Sequence, residues 1–517
     1  MSPRRRAPTL KSSRRRRRAA LLVLSTSLAI LGSRATSNGG SLSSRAAVLV
    51  GNEATIDDPT KLFRILFRIL GVACVGLKVA TMKRTPTSSP GESANEPSLD
   101  MARLQRRFLT VFWLFKMADW LQGPYFYDVY SSKVINGQPV STDMVARFFL
   151  TGFGTAAALG ALVGRLVDAH GRKAGSIAFA LLYGLSALSV HSDRLSLLLL
   201  GRMAGGVGTA LLFSAPEAWL VGEHQRAGFS DAWLSGTFGL AYLGDSIVAI
   251  LAGLLAGSAA GLYGPTAPFA LSMVFLALGA AVVFATWREN TALTNASAAG
   301  ATQAMDAQEV GIVDAWRRII ADPRIFGVGT IQALFEGAMY IFVMQWPPAM
   351  ISVLPGKDVP FGAVFSCLMA ACMMGSSAFA AITPHLSVEV STAIMLTLAV
   401  GSMAAPALLS GSLPVVVASF LLFETCVGFY FPAIGTLRSK YVPDTHRGVM
   451  MAMFRVPLNV LVVAVMLTMR YLGLRGSLGC SATALALALF AAVRLCIAVQ
   501  RKHQEGKGVP AIERRVA

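Results

Sequence analysis

The sequence predicts an all-α membrane protein: twelve spanning helices in two six-helix halves, preceded by one extra apolar helix. Three observations predict it. Of the 517 residues, 54% are hydrophobic and only 14% charged, where a soluble chain carries about 25% charge. Apolar runs of roughly 20 residues, enough to cross a ~30 Å hydrocarbon core, recur between short polar links. The Lys and Arg residues of those links gather on one side, as the positive-inside rule requires.

Residues 1–18 are Arg-rich and free of acids, residues 19–32 are apolar, and a Ser/Gly segment follows. A basic region, a short apolar region and small residues after it make 1–60 a basic extension expected to act as a targeting presequence, the alternative being a disordered basic arm. The apolar stretch 63–80 holds Arg64, Arg68 and Lys78 and is expected either to span or to lie at the interface. With the Ser/Pro/Glu-rich linker after it, it forms a segment 61–103 ahead of the twelve spans. The spans are expected at 105–127, 143–166, 174–191, 195–222, 232–257 and 266–287, then 324–347, 360–383, 390–410, 414–436, 447–471 and 477–499. The two halves are therefore 104–287 and 324–500, joined by a central loop 288–323 and followed by a tail 501–517. In the loop, Val313, Trp316, Ile319 and Ile320 recur at helical spacing, which predicts an amphipathic helix on the membrane surface.

Charge sets the orientation. Arg165, Arg172 and Lys173 lie between spans 2 and 3, and Arg288, Arg317, Arg318 and Arg324 in or beside the central loop. Arg438, Lys440 and Arg447 lie between spans 10 and 11, with Arg501 and Lys502 after span 12. All fall on one side of an even number of spans, which puts the central loop and the C-terminal tail in the cytoplasm. The net charge of +19 does not mark a nucleic-acid binder. Eleven of the 46 Lys and Arg precede Glu53, and no soluble domain offers a basic face. The six cysteines are scattered and mostly in apolar runs, without disulfide or metal-ligand spacing. With no nucleotide-binding loop, nucleophile motif or metal cluster, the chain reads as a carrier without cofactor rather than an enzyme.

The link between spans 2 and 3 reads Gly164-Arg165-Leu166-Val167-Asp168-Ala169-His170-Gly171-Arg172-Lys173. Glycines let helices approach and turn, and Asp168 can bond helix N-termini or arginines. Gly164, Asp168, Gly171, Arg172 and Lys173 are therefore gate candidates. In span 4, Arg202, Gly206, Thr209, Phe213 and Glu217 share one face at helical steps. A charge within a span costs at least ~2.5–3.5 kcal/mol, which makes Arg202 a candidate functional residue; Glu217, toward the inner end, is assigned to the gate. An internal repeat points to further charges. Arg107 precedes Asp119, and Arg324 precedes Glu336, by the same spacing at the start of each half, placing both carboxylates about 18 Å deep. Arg202–Gly206 similarly parallels Glu424–Gly428. Parallel six-span repeats with the substrate held between them belong to the major facilitator layout, and the 2–3 link matches that superfamily's G-x-x-x-D-x-x-G-R-K signature.

Several segments resemble one family within it. Asp119-Trp120-Leu121-Gln122-Gly123-Pro124-Tyr125 is similar to a first-span motif of the eukaryotic molybdate-anion transporters. Likeness recurs at residues 211–219, where the family tends to have Phe in place of Pro216, and at 329–336, 428–432 and 454–458. It covers about 104–500 and implies uptake of molybdate, a tetrahedral oxyanion. On that reading Arg455 and Arg202 are candidate oxyanion contacts, because guanidinium donors suit such oxygens. Gln122, Tyr125, Gln332 and Tyr430 supply neutral hydrogen bonds, with helix packing as the alternative for each. Asp119, Glu336 and Glu424 are the candidate proton carriers. For Arg455 a gate pairing with Asp168 is the alternative. The expected partners are molybdate, protons and lipid, with a monomer favoured. The plasma membrane is the favoured location, an organelle membrane being the alternative from the basic N-terminus. A carrier of sulfate, a sugar or a drug, or a non-transporting receptor on the same fold, are the competing functions.

The orientation has a direct check. Asn295-Ala296-Ser297 is a glycosylation sequon in the central loop. It is expected to carry no glycan, and a mass shift on glycosidase treatment that disappears in Asn295→Gln would reverse the orientation.

Overall fold

The computed structural model describes residues 58–82, 99–291, 312–409, 411–443 and 447–508. The expected presequence, most of the linker after residue 82, the sequon at Asn295 and the end of the tail lie outside those residues. The described chain is helical apart from a two-stranded hairpin, β1 (Val134–Ile135) and β2 (Gln138–Pro139), joined through Asn136 and Gly137, both with positive φ. That hairpin sits in the link between spans 1 and 2, where the sequence predicted only a loop.

Helix α1 (Pro59–Met82) precedes the bundle. Span 1 is α2 (Leu99–Gln122), followed by the short α3 (Phe126–Ser131). Spans 2 and 3 are α4 (Thr142–His170) and α5 (Arg172–Ser189). Span 4 is α6 (Leu195–Leu212), which breaks before α7 (Ala215–Ala227). Spans 5 and 6 are α8 (Asp231–Tyr263) and α9 (Ala267–Thr286). After α10 (Ile312–Ala321), spans 7 to 10 are α11 (Pro323–Val353), α12 (Phe361–Ile382), α13 (Val388–Leu408) and α14 (Leu413–Tyr441). Spans 11 and 12 form α15 (Arg447–Gly508), divided by a kink at Gly473, whose φ of 61° is left-handed. All twelve expected spans are present. Among the described residues, nine helices are long and apolar enough to cross a membrane by composition alone, spans 11 and 12 being one of them. Span 1 is as long but carries Asp100, Arg103, Arg106, Arg107, Lys116 and Asp119.

Three expectations are corrected. Span 4 is not continuous over 195–222: Pro216 stands in the first turn of α7 and has no amide to donate backward, so the helix ends at Leu212 and restarts. The helical face drawn from Arg202 therefore stops at Phe213 and does not reach Glu217. Span 7 does not stop at 347, because it runs through Pro347 and Pro348 to Val353. In the central loop α10 is present, with Val313, Trp316 and Ile320 exposed, but Ile319 is 5% exposed and packs inward. As for α1, the Cys367 thiol donates to the Phe63 carbonyl at 3.4 Å and the Cys74 thiol to the Ala370 carbonyl at 3.3 Å, so about three turns of α1 pack against span 8.

The two halves repeat one packing plan. Span 1 lies on span 6, span 2 on span 4 and span 3 on spans 4 and 6; in the second half span 8 lies on span 10 and span 9 on spans 10 and 12. Between halves, span 5 meets span 8, and span 2 meets the helix of spans 11 and 12. Backbone closeness holds this plan together. A Cβ on Gly428 of span 10 would run into the Cys372 carbonyl of span 8, and one on Gly375 into the Thr425 carbonyl. A Cβ on Gly206 of span 4 would likewise meet the Gly152 carbonyl of span 2.

Gly428→Ala is thus expected to cost about 1–3 kcal/mol by overpacking, read as a lower unfolding temperature in detergent. Gly401→Ala, where a Cβ meets nothing within 4 Å, serves as the control and should not lower it.

Candidate functional site

Inside a membrane an isolated charge is costly, and side chains that carry one gather with partners. Two such gatherings stand in this bundle, one in each half.

In the first half the centre is Lys116 of span 1, which is 5% exposed. Its ammonium lies 3.9 Å from Asp119 and 3.6 Å from Asp245 of span 5. It also faces the rings of Trp120 and Phe213, at 5.2 and 4.8 Å. Tyr183 of span 3 donates to Asp119 at 2.5 Å, and the Trp120 indole N–H to Asp245 at 2.7 Å. Arg202 lies nearer the end opposite the 2–3 link. Its Nε donates to the Phe148 carbonyl at 3.3 Å, and its guanidinium sits 4.8 Å from the Phe126 ring. It faces inward against spans 2 and 3 and α3, not out to headgroups. The Tyr130 hydroxyl is fully buried and lies beside the Arg202 guanidinium.

In the second half the centre is Glu336 of span 7, which accepts from Tyr430 of span 10 at 3.0 Å. Tyr430 is fully buried and stacks on Phe335 at 4.0 Å. The guanidinium groups of Arg438 and Arg455 act on Glu336 from spans 10 and 11. Gln332, one turn before Glu336, is buried, with its carbonyl oxygen unpartnered among the described residues. Glu424 is buried between spans 10 and 8, and no donor reaches its carboxylate among the described residues.

The other sequence-chosen residues are dispersed. Gln122 donates to Ser272 of span 6 at 3.0 Å, a packing bond within the first half. Tyr125 lies at the far end, its ring edge-on to Phe361 of span 8 at 5.9 Å. The structure thus brings Asp119 to Lys116 and Glu336 to Tyr430, Gln332 and Arg455. Gln122 and Tyr125 pack elsewhere, while Arg202 reaches the first centre through Tyr183 and Glu424 faces it across Cys372. The repeat holds for the two carboxylates but not for their partners, since Tyr183 comes from span 3 and Tyr430 from span 10.

The contacts between halves lie toward the end away from the 2–3 link. Trp120 meets Phe365 at 5.9 Å, Phe153 meets Tyr340 at 4.9 Å, and the Ser366 hydroxyl donates to the Ile250 carbonyl at 3.0 Å. Outside the spans, Asp128 of α3 is pushed up from the usual carboxylate range, chiefly by burial and then by Asp358 of the other half. At the opposite, basic end, a Cβ on Gly164 or Gly435 would meet nothing within 4 Å. In this conformation the ring and hydrogen-bond contacts between halves named above lie at the end away from the 2–3 link.

The 2–3 link is held within its own half. Asp168 accepts two bonds from Arg172, at 3.2 and 3.0 Å, so its partner is one turn away and not Arg455. Gly171 has φ 122°, and a Cβ there would strike the Glu289 carboxylate. Glu289 accepts from the amides of Lys173 at 2.8 Å and Ala174 at 3.0 Å, capping the N-terminus of span 3. Lys173 in return donates to the Phe284 and Trp287 carbonyls at the end of span 6, each at 2.9 Å. Glu217 accepts from Tyr242 of span 5 at 2.7 Å. Gly164 takes no part in a close helix approach here, contrary to expectation. In the second half, Glu389 at the start of span 9 accepts from Lys440 and Tyr441, both at 2.5 Å.

Sequence reasoning missed Lys116, Asp245, Arg438 and Glu289. Lys116 and Asp245 carried a legible signal, a charge within an apolar run. Arg438 was assigned to a loop because span 10 was ended at 436, while the helix runs to Tyr441. Glu289 gave no local signal, since its partners are backbone amides more than 100 residues away.

The arrangement matches known proteins. A family model described as sugar transporters with twelve transmembrane segments matches residues 62–429. The molybdate-anion transporter of Xenopus tropicalis is 34% identical over 387 residues, 72% of this chain and 81% of that one. That of Danio rerio is 31% identical over 423 residues, 77% and 85%. Among solved structures, a peptide transporter in complex with sulfate superposes with a TM-score of 0.60 at 16% identity, over 77% of this chain and 94% of that one. The inward-open xylose transporter of E. coli gives 0.54 at 12%, over 76% and 95%. The chain belongs to the molybdate-anion transporter family of the major facilitator superfamily, and is a multi-pass membrane transporter rather than an enzyme.

Glu289→Gln is expected to weaken the cap of span 3 and cost about 1 kcal/mol. The check is thermal unfolding of purified protein, with an unchanged midpoint counting against the cap.

Proposed function

We propose that this member of the family is a secondary active transporter that takes up molybdate by alternating access, driven by co-transported protons. The observation that carries the reading is the pair of charged centres, one in each half, beside the contacts that join the halves. The relatives' shared name supplies the anion. Arg455 and Arg438, facing Glu336, offer the planar donors that tetrahedral oxyanions favour. The two guanidinium groups act on the single Glu336 carboxylate without an ion pair to it among the described residues, so this centre has positive charge to spare for an anion. Arg202, bonded through Nε to the Phe148 carbonyl and with the Tyr130 hydroxyl beside its guanidinium, is a second anion contact nearer the end where the halves meet.

Carrying a dianion into a negative-inside compartment costs about 2.3 kcal/mol per charge per 100 mV, or roughly 4.6 kcal/mol in all. Protons moving with the anion offset that cost. Asp119, Glu336 and Glu424 are the proposed proton carriers. Glu424 suits the role by its isolation, buried with no cation or donor on its carboxylate among the described residues. Gln332 and Tyr430 position Glu336. Asp168 with Arg172 and Lys173, Glu217 with Tyr242, and the turn glycines of the 2–3 link act as the gate at the basic end. The carrier works as a monomer at the plasma membrane, with the 2–3 link in the cytoplasm.

Cells lacking their own molybdate carrier should gain saturable molybdate uptake on receiving this chain. Uptake blocked equally by sulfate or a sugar, or no uptake at all from correctly inserted protein, would turn the reading to another solute or to a receptor. Arg455→Lys keeps the charge and loses the planar fork, so molybdate affinity should fall about tenfold, the worth of one charge-assisted hydrogen bond. Asp119→Asn and Glu336→Gln should change the pH profile of initial rates more than the affinity. If both keep the wild-type profile, these two carboxylates are structural. Asp168→Asn should slow uptake at normal insertion.

A further inference from the structure

Asp245 takes no part in the function proposed above, yet its surroundings are those of a working group. Two carboxylates share one ammonium. Lys116 Nζ stands 3.6 Å from one oxygen of Asp245 and 3.9 Å from one of Asp119. Neither contact is a close hydrogen bond, so the ammonium is committed to neither carboxylate. The free oxygen of each takes a neutral donor, Trp120 for Asp245 and Tyr183 for Asp119. Lys116 is almost fully buried, and the aromatic rings of Trp120 and Phe213 flank its ammonium.

Charge counting shows what such a set does. One cation and two ionised carboxylates leave one negative charge uncompensated within the bundle, where it is costly. One proton makes the set neutral: an ammonium, a carboxylate and a carboxylic acid. The other titratable groups around it stand outside the set. Arg202 of span 4 carries a further positive charge, but among the described residues no ion pair joins it to Asp119 or Asp245; it acts on Tyr183 and is bonded to the Phe148 carbonyl. Tyr242, one turn before Asp245, holds Glu217 of α7. From span 8 the neighbour is Cys372, a thiol on which Glu424 of span 10 acts as well as Asp245.

Trp120 links this set to the other half. Its indole N–H holds Asp245, while its ring packs on Phe365 of span 8. On span 5 itself, the Ile250 carbonyl, little more than a turn beyond Asp245, accepts from Ser366 of span 8. Movement of span 8 away from span 5 therefore withdraws support from the one neutral donor that Asp245 has.

We infer that Asp245 is a coupling carboxylate of this transporter, sharing the Lys116 ammonium with Asp119 and tied through Trp120 to the contact between the halves. A proton entering from water forms an O–H bond on Asp245, and the ammonium passes to Asp119. After the halves exchange ends, that O–H bond breaks, the proton leaves to water on the other side, and Lys116 is shared again. This assignment rests on the proton-coupled reading above.

The experiment uses the full chain in proteoliposomes with radiolabelled molybdate and an imposed pH gradient, comparing wild type, Asp245→Asn and Trp120→Phe. Asp245→Asn should lower gradient-driven accumulation at least about tenfold more than it lowers molybdate counterflow, which needs no net proton movement, if one strong charge-assisted interaction is at stake. Trp120→Phe keeps a ring against Phe365 and removes the donor, so it should displace the pH profile of accumulation. Wild-type protein that ignores the pH gradient would sink the proton-coupled reading and this assignment together. A gradient-driven wild type with Asp245→Asn matching it in accumulation and pH profile overturns the assignment alone. Should Asp245→Asn fail to insert, Trp120→Phe decides: an unchanged profile overturns the assignment, and a displaced one supports it.

Discussion

The bilayer's intolerance of unpaired charge organises this molecule. Lys116, Asp119, Asp245, Arg202, Glu336 and Arg455 all lie in helices that must cross a medium without water. Most of them find partners on a different helix. Lys116 joins span 1 to span 5, Tyr183 joins span 3 to Asp119, and Tyr430 joins span 10 to Glu336. Apolar surface drives helix association little where lipid is equally apolar, so these polar ties and close backbone crossings give the bundle its specificity. Gly428 against Cys372 and Gly206 against Gly152 are the matching crossings in the two halves.

The charged centres sit beside the surfaces that must part and meet. Trp120 follows Asp119 in span 1 and touches span 8; Tyr340 follows Glu336 by one turn in span 7 and touches span 2. Each half thus places an aromatic ring on the other half within one turn of its own carboxylate. A charge change at either carboxylate and a rocking of the halves act on the same few side chains. That is the physical requirement for coupling solute movement to an ion, since a ligand shifts a conformational equilibrium only through contacts that differ between the states.

The link between spans 2 and 3 shows how a short motif works at a distance. Its lysine caps the end of span 6, and Glu289 at that end caps the start of span 3. Trp219 and Trp287 stack face to face at 3.8 Å beside it, and the Trp219 indole donates to the Arg288 carbonyl. The first half is therefore fastened at its basic end into one block. The second half has a separate fastening there, Glu389 with Lys440 and Tyr441. Two blocks each fastened internally suit rigid-body rocking better than bending of single helices.

The sequence alone determined the span count, the two halves and the 2–3 link. Hydrophobic run length and charge are local properties, and both are read directly along the chain. It also pointed at Pro216 as an oddity, without telling that span 4 breaks there. The tertiary structure decided the partners: that Lys116 stands between Asp119 and Asp245, that Arg438 belongs with Glu336, and that Arg202 reaches the first centre through Tyr183. It decided equally that Asp168 turns to Arg172 and that Gly164 meets nothing in this conformation. These outcomes depend on the rotation of each helix about its axis and on which helices become neighbours. Packing across hundreds of residues sets both, and no window along the chain carries that information.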